Sequence, residues 1–136
     1  MQPLRLLLDT HTLLWTIGKT NELSGSVKRE IKNAHNEILV SAVSLWEIAL
    51  KHSIGKLIVN FDVLKIPEYC QNMGFKLIPL TPDEALNSLR LPPKKHKDPF
   101  DRMIIYQCII NGWTLVSRDT KIEVYKEDGL KWLWQQ

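Results

Sequence analysis

The strongest constraint on this chain is an alternation in which short apolar runs trade places with segments of helical period. Residues 4–8 (LRLLL) stop at Asp9, and similar runs follow at 37–40 (EILV), 75–80 (FKLIPL), 113–117 (WTLVS) and 130–134 (LKWLW). Runs this short and this apolar fit strands covered on both faces. Between them, apolar residues recur at helical spacing over 24–34, 43–52, 63–73, 82–89 and 99–110, with Gly74 and Gly112 placed as stops. Parallel strands need long crossovers, and helices supply them. The order therefore predicts an α/β domain in three layers: a central, mainly parallel sheet of four to five strands flanked by helices. One such domain over 1–136 uses the whole chain. Ligands of such sheets bind beyond the carboxyl ends of the strands.

The sequence also removes several classes. With 44% hydrophobic and 24% charged residues it is no disordered tail. No run reaches the roughly 18 apolar residues of a membrane span. The first residues, MQPLRLLLDT, are broken by Arg5 and Asp9 and lack a signal-peptide core, so a cytoplasmic location is expected. Cys70 and Cys108 have neither metal-ligand nor CxxC spacing and read as buried thiols. The formal charge of +3 identifies no partner, but Lys94, Lys95 and Lys97 gather in the loop RLPPKKHK, where Pro92 and Pro93 bar helix. That loop is expected to be exposed.

Five acids stand beside apolar segments, and each has an ordinary explanation. Asp9 suits the N-cap of the helix after the first strand. Glu47, three residues after Ser44 and four before Lys51, mimics a capping box with a surface ion pair. Asp98 suits an N-cap with Pro99 at the first helical position and Asp101 in the first turn. Asp119 follows a strand, as turn formers do. Their joint placement is harder to dismiss. Asp9 and Asp119 end strands, Asp98 and Asp101 open a helix leading into one of those strands, and Glu47 joins them if Val43, Trp46 and Leu50 form a buried stripe. Two unit charges about 4 Å apart repel by roughly 4 kcal/mol at an effective dielectric of about 20. An N-cap returns only about 1 kcal/mol. Either some of these acids stay protonated or a hard divalent cation sits among them. Without His or Cys clusters, Mg²⁺ or Mn²⁺ fits better than Zn²⁺. Of the histidines, His96 and His11 lie near the acids in sequence.

The stretches LLLDTHTLLW, VSAVSLWEIALK, DPFDRMIIYQ and TLVSRDTKI resemble, in order and spacing, the motifs of PIN-domain ribonucleases, and within them the VapC-type toxins of toxin–antitoxin pairs. The resemblance spans Leu6 to Trp134. It implies a Mg²⁺-dependent endoribonuclease with Asp9, Glu47, Asp101 and Asp119 as catalytic acids and metal ligands. Asp98 competes with Asp101 for direct contact with the ion, and Asp101 is preferred. Ser117 and Thr10 would support the ligands, and Lys94, Lys95, Lys97 and Arg102 would contact RNA phosphates. The reaction implied is phosphodiester hydrolysis assisted by one or two ions. The resemblance further implies an RNA substrate, a cognate antitoxin protein and a homodimer. Trp15, Trp46 and Trp113 are expected in the core. The competing reading is a catalytically silent RNA-binding or adaptor module of the same fold. A phosphoacceptor domain, which needs a lysine after the last strand and paired acids after the first, is disfavoured because the first strand ends in one aspartate and Lys131 lies inside the final apolar run. A haloacid-type phosphatase, which needs DxD, is disfavoured by Asp9-Thr10-His11.

Overall fold

Successive side chains of a strand point to opposite faces, and here both faces are covered. The computed structural model describes residues 2–94 and 96–134. Leu6 and Leu8 of β1 (Arg5–Leu8) enter one core with Ile38 and Val40 of β2 (Glu37–Ser41) and Val116 of β4 (Thr114–Val116); Leu7, Leu39 and Leu115 of the same strands enter the other. The first core is closed by α1 (Thr10–Gly18), α2 (Gly25–Lys32) and α4 (Ile66–Asn72), through Leu13, Val27 and Cys70. The second is closed by α6 (Pro99–Asn111), through Ile104, Ile105 and Cys108, with Ile122 and Tyr125 from a 3₁₀ segment, Thr120–Asp128. Helix α3 (Ala42–Ser53) gives Val43 to one core and Ile48 to the other. Three layers result, and both cysteines are buried and unpaired as expected.

With β3 (Lys76–Ile78) and β5 (Lys131–Leu133) at the edges, the sheet runs β3-β2-β1-β4-β5, all parallel. Strand order reverses at β1, between β2 and β4. Such a reversal opens a crevice at the carboxyl ends of the two strands. Leu8 pairs with Val116, so the residues that follow, Asp9 and Ser117, start side by side at that crevice. The Asp9 N–H donates to Val116 O at 3.1 Å. The Thr12 hydroxyl donates to the same carbonyl at 3.1 Å, pinning α1 to β4.

Four expectations need correction. The helix over 63–73 divides into a 3₁₀ turn, Val63–Lys65, and α4, because Pro67 falls in the first turn, where a missing N–H is harmless. The helix over 82–89 likewise ends early, as α5 (Pro82–Asn87) followed by a 3₁₀ turn, Ser88–Arg90. The inward stripe of α3 is Val43, Ser44, Glu47 and Ile48, whereas Trp46 is 62% exposed and Leu50 43%. The cap is Ser41, whose side chain accepts from Val43 N–H, not Ser44, and this start sets the helical phase that turns Trp46 outward. Nor is the loop before α6 simply exposed. Leu91 is buried in the second core, and Arg102 donates to Leu91 O (3.0 Å), Pro92 O (3.2 Å) and the Tyr125 hydroxyl (2.9 Å). That clamp fixes the approach to Asp98.

Candidate metal centre

Asp9 caps α1, its Oδ1 accepting from Thr12 N–H at 2.8 Å, so the cap expected from sequence is formed. The side chain is nevertheless turned into the crevice and almost wholly buried. Burial pushes its carboxyl pKa up, while the Ser117 hydroxyl and Thr12 hold the charged form. Ser117 also accepts from Asp119 N–H at 3.1 Å. One serine thus ties together the ends of the two central strands.

On α6, Asp98 is the N-cap, its Oδ1 accepting from Phe100 N–H at 2.9 Å and Asp101 N–H at 3.0 Å. This bends the chain so that Asp101 rises one turn into the crevice. Its carboxyl is pushed up to about 6, first by burial and then by the nearby Asp98 charge, with Glu47 adding a little and His96 opposing. His96 Nε2 lies 3.0 Å from Asp101 Oδ2 and 3.8 Å from Asp119 Oδ2, and its side chain is only 9% exposed. Asp119 caps the 3₁₀ segment through Oδ1, which accepts from Lys121 N–H at 2.9 Å.

Asp9, Asp101, Asp119 and Ser117 line one cavity of about 10 Å³, floored by Ile104, Ile105, Leu115 and Ile122. That is room for about one water or one small ion. The cavity adjoins an open cleft of about 270 Å³ lined by Asp9, Asp119, His11, Trp15 and Arg118. His96, Asp101 and Asp119 each present a ligand atom, all within 4.8 Å of one another. Glu47 stands beside this cavity without lining it. It is 3% exposed, and its two oxygens accept separately from the Thr10 hydroxyl and the Lys51 ammonium.

Hard oxygen donors in a pocket of one-ion size, with neutral hydroxyls behind them, fit Mg²⁺ or Mn²⁺.

The expected phosphate contacts separate into different roles. Lys94 is committed to Glu127, Asp128 and Val124 O, and Arg102 to its loop clamp. Lys97 is exposed, and Lys95 lies outside the described residues. Arg118, on the cleft wall, reaches Glu22 at 3.2 Å and stacks over Trp15 with its guanidinium carbon 4.2 Å from the ring centroid. Sequence reasoning passed over Arg118, marked His96 only as near the acids, and read Lys51 as half of a surface ion pair. The signals were present: Arg118 directly precedes Asp119, His96 lies two residues before the capping Asp98, and Lys51 lies one turn after Glu47.

Comparison with known proteins identifies the family and the fold. Ribonuclease VapC22 of Mycobacterium tuberculosis is 27% identical over 133 residues, covering 95% of this chain and 98% of that protein. Among solved structures, VapBC2 from Rickettsia felis bound to a DNA fragment from its promoter superposes with a TM-score of 0.69 at 17% identity, over 96% of this chain and 98% of that one. A toxin–antitoxin complex from Klebsiella pneumoniae gives 0.56 at 16% identity, over 85% and 88% of the two chains. Residues 6–128 match the PIN domain. With the match spanning both central strands and every acid of the crevice, the chain belongs to the PIN-domain family.

Proposed function

We propose that this chain is a metal-dependent endoribonuclease of the VapC type, the toxin of a toxin–antitoxin pair, using Mg²⁺ or Mn²⁺. The observation that carries the reading is the convergence of Asp9, Asp101 and Asp119 on one ion-sized cavity at the carboxyl ends of β1 and β4. A bound divalent cation lowers the pKa of water and offsets charge developing on a phosphodiester. Asp9, Asp101 and Asp119 hold it, with Glu47 and Asp98 completing the acidic surround. Ser117 fixes Asp9 and Thr10 fixes Glu47, while His96 orients Asp101. Arg118 and Lys97 contact phosphates on either side of the scissile one, positioning the strand across the 270 Å³ cleft. No side chain acts as a nucleophile; with water attacking and the 3′ oxygen leaving, as the PIN resemblance implies, the products carry 5′-phosphate and 3′-hydroxyl ends.

Relatives solved as VapBC and toxin–antitoxin complexes support a small antitoxin as partner, and a homodimer and a cytoplasmic location accompany that reading. No helix among the described residues is long and apolar enough to cross a membrane. The deciding experiment incubates RNA with the purified chain in Mn²⁺, with and without chelator, and maps the cleaved ends. Cleavage that requires the metal and disappears in Asp101→Asn supports the enzyme. Unchanged cleavage by that variant refutes the site, and RNA binding without cleavage in any metal favours the silent module.

A further inference from the structure

An i,i+4 glutamate–lysine pair on a helix is normally exposed to water and contributes little. The pair on α3 is different, because Glu47 is almost wholly buried while Lys51 reaches in from the rim. A carboxylate this deep needs each oxygen satisfied. The Thr10 hydroxyl occupies Oε1 and the Lys51 ammonium Oε2.

The lysine is also held in place from outside. Its Nζ lies 6.0 Å from the centroid of the Phe100 ring, and Trp46 stands edge-on to Phe100 with centroids 5.2 Å apart. Trp46, turned outward by the helical phase of α3, builds this aromatic shelf with Phe100. Phe100 directly precedes Asp101, and the ammonium lies in the field of both Asp98 and Asp101. Its pKa is raised, first by the bond to Glu47. It therefore remains charged at neutral pH.

We infer that Lys51 is a resident cation of the metal centre: it holds Glu47 out of the ligand set, so that the crevice takes one divalent ion where an unpaired Glu47 would admit a second. The inference rests on the proposed metal-dependent reading and deepens it. The cavity shared by Asp9, Asp101 and Asp119 has room for one ion and omits Glu47. Lysine is suited to the task, being a compact point charge that supplies neutralisation without demanding a coordination shell.

The test is calorimetric titration of the folded chain with Mn²⁺ alone. The parent is expected to bind one ion. Lys51→Met is expected to bind a second, or to bind the first at least about tenfold more tightly, since a repelling charge is removed and a carboxylate released. Lys51→Arg, which keeps the charge, should titrate as the parent does. Glu47→Gln combined with Lys51→Met should return to one ion at about the parent affinity. Two ions on the parent, or no difference between parent and a folded Lys51→Met, overturns the inference while leaving the nuclease reading intact. A parent that binds no Mn²⁺ overturns both. If circular dichroism shows that Lys51→Met does not fold, Glu47→Gln decides: one ion, bound within about tenfold of the parent, supports the inference, and a greater loss overturns it.

Discussion

The two walls of the acid crevice are compensated in opposite ways. On the wall formed by strand ends, Asp9 is hydrogen-bonded by neutral donors, the Ser117 hydroxyl and the amide and hydroxyl of Thr12, with His11 adding the weakest effect. On the wall formed by α3 and α6, Lys51 lies against Glu47 and the His96 imidazole against Asp101. Neutral donors orient a buried charge without cancelling it, whereas an adjacent cation does both. The missing positive charge therefore belongs at the strand-end wall, where Asp9, Asp119 and the edge of Asp101 meet. Asp119 belongs to both sides, since His96 approaches it at 3.8 Å while its Oδ1 caps the next segment.

The largest test of this asymmetry is Asp9→Asn. Asparagine caps a helix as well as aspartate does, so α1 and the melting temperature should be retained while the uncompensated charge is lost. RNA cleavage in Mn²⁺ is expected to fall at least about a hundredfold, which corresponds to about 3 kcal/mol of transition-state stabilisation. Cleavage within a few-fold of the parent would place the working charge on the other wall.

Next in size is the helix wall taken by itself. Lys51→Ala leaves Glu47 buried and without its cation. Breaking a buried pair costs about 3–5 kcal/mol, but Lys51 is about a third exposed, so about 1–3 kcal/mol is expected at pH 7 without metal. Urea unfolding measures it. Adding Glu47→Gln should recover most of the loss, and a double variant as unstable as the single one would show that Lys51 acts through its packing on Phe100.

A smaller effect is expected from Asp101, with a defined pH signature. Its folded pKa of about 6 lies above the ordinary value of 3.8, so between these pH values the folded state binds more protons than the unfolded. Stability then falls as pH rises through that window. In chelator the parent should lose about 1–2 kcal/mol between pH 4 and pH 6 relative to Asp101→Asn, the figure being reduced for partial exposure. Above pH 6 the variant should be the more stable of the two. Melting curves across that range check the sign, and saturating Mn²⁺ should reverse it by binding only the folded parent. A variant that melts lower than the parent in chelator at every pH would make Asp101 a structural residue.

The strand-end wall was legible in the sequence because it follows from register. Two apolar runs ending in Asp9 and in Ser117–Asp119, laid parallel, must bring those residues together whatever the rest does. The placement of Asp98 and Asp101 was equally local, set by DPFD and a proline. The helix wall was less legible, because its contacts cross between elements. The phase of α3 depends on whether Ser41 or Ser44 caps it, and a shift of three residues moves the inward face from Trp46 and Leu50 to Ser44 and Glu47. The folding of Leu91–Asp98 back onto the second core depends on Arg102 finding two carbonyls and Tyr125, a residue in a 3₁₀ segment that hydrophobic periodicity did not anticipate. The basic run read as one surface feature, yet only tertiary contacts could separate Lys94, paired with Glu127 and Asp128, from Lys97.

That separation gives the smallest and most specific test. Lys97 is exposed and has no hydrogen bond or ion pair among the described residues, so Lys97→Ala should leave the melting temperature unchanged. If it faces the substrate, the variant should lose one counterion-releasing contact. The slope of log affinity against log salt would then become shallower by about 0.7 for a single-stranded RNA, with the same proportional weakening on every sequence. The binding measurement is made on the Asp9→Asn chain in chelator, so that cleavage does not deplete the RNA. Lys94→Ala is the contrast. Its ammonium is already engaged by two acids and a carbonyl, so the salt slope should stay at the parent value while the 3₁₀ segment that carries Asp119 loosens. Equal slopes for Lys97→Ala and the parent would remove the loop from the RNA path. Arg118, on the strand-end wall, would then be the main phosphate contact, and substrate charge and metal would be read from the same side of the crevice.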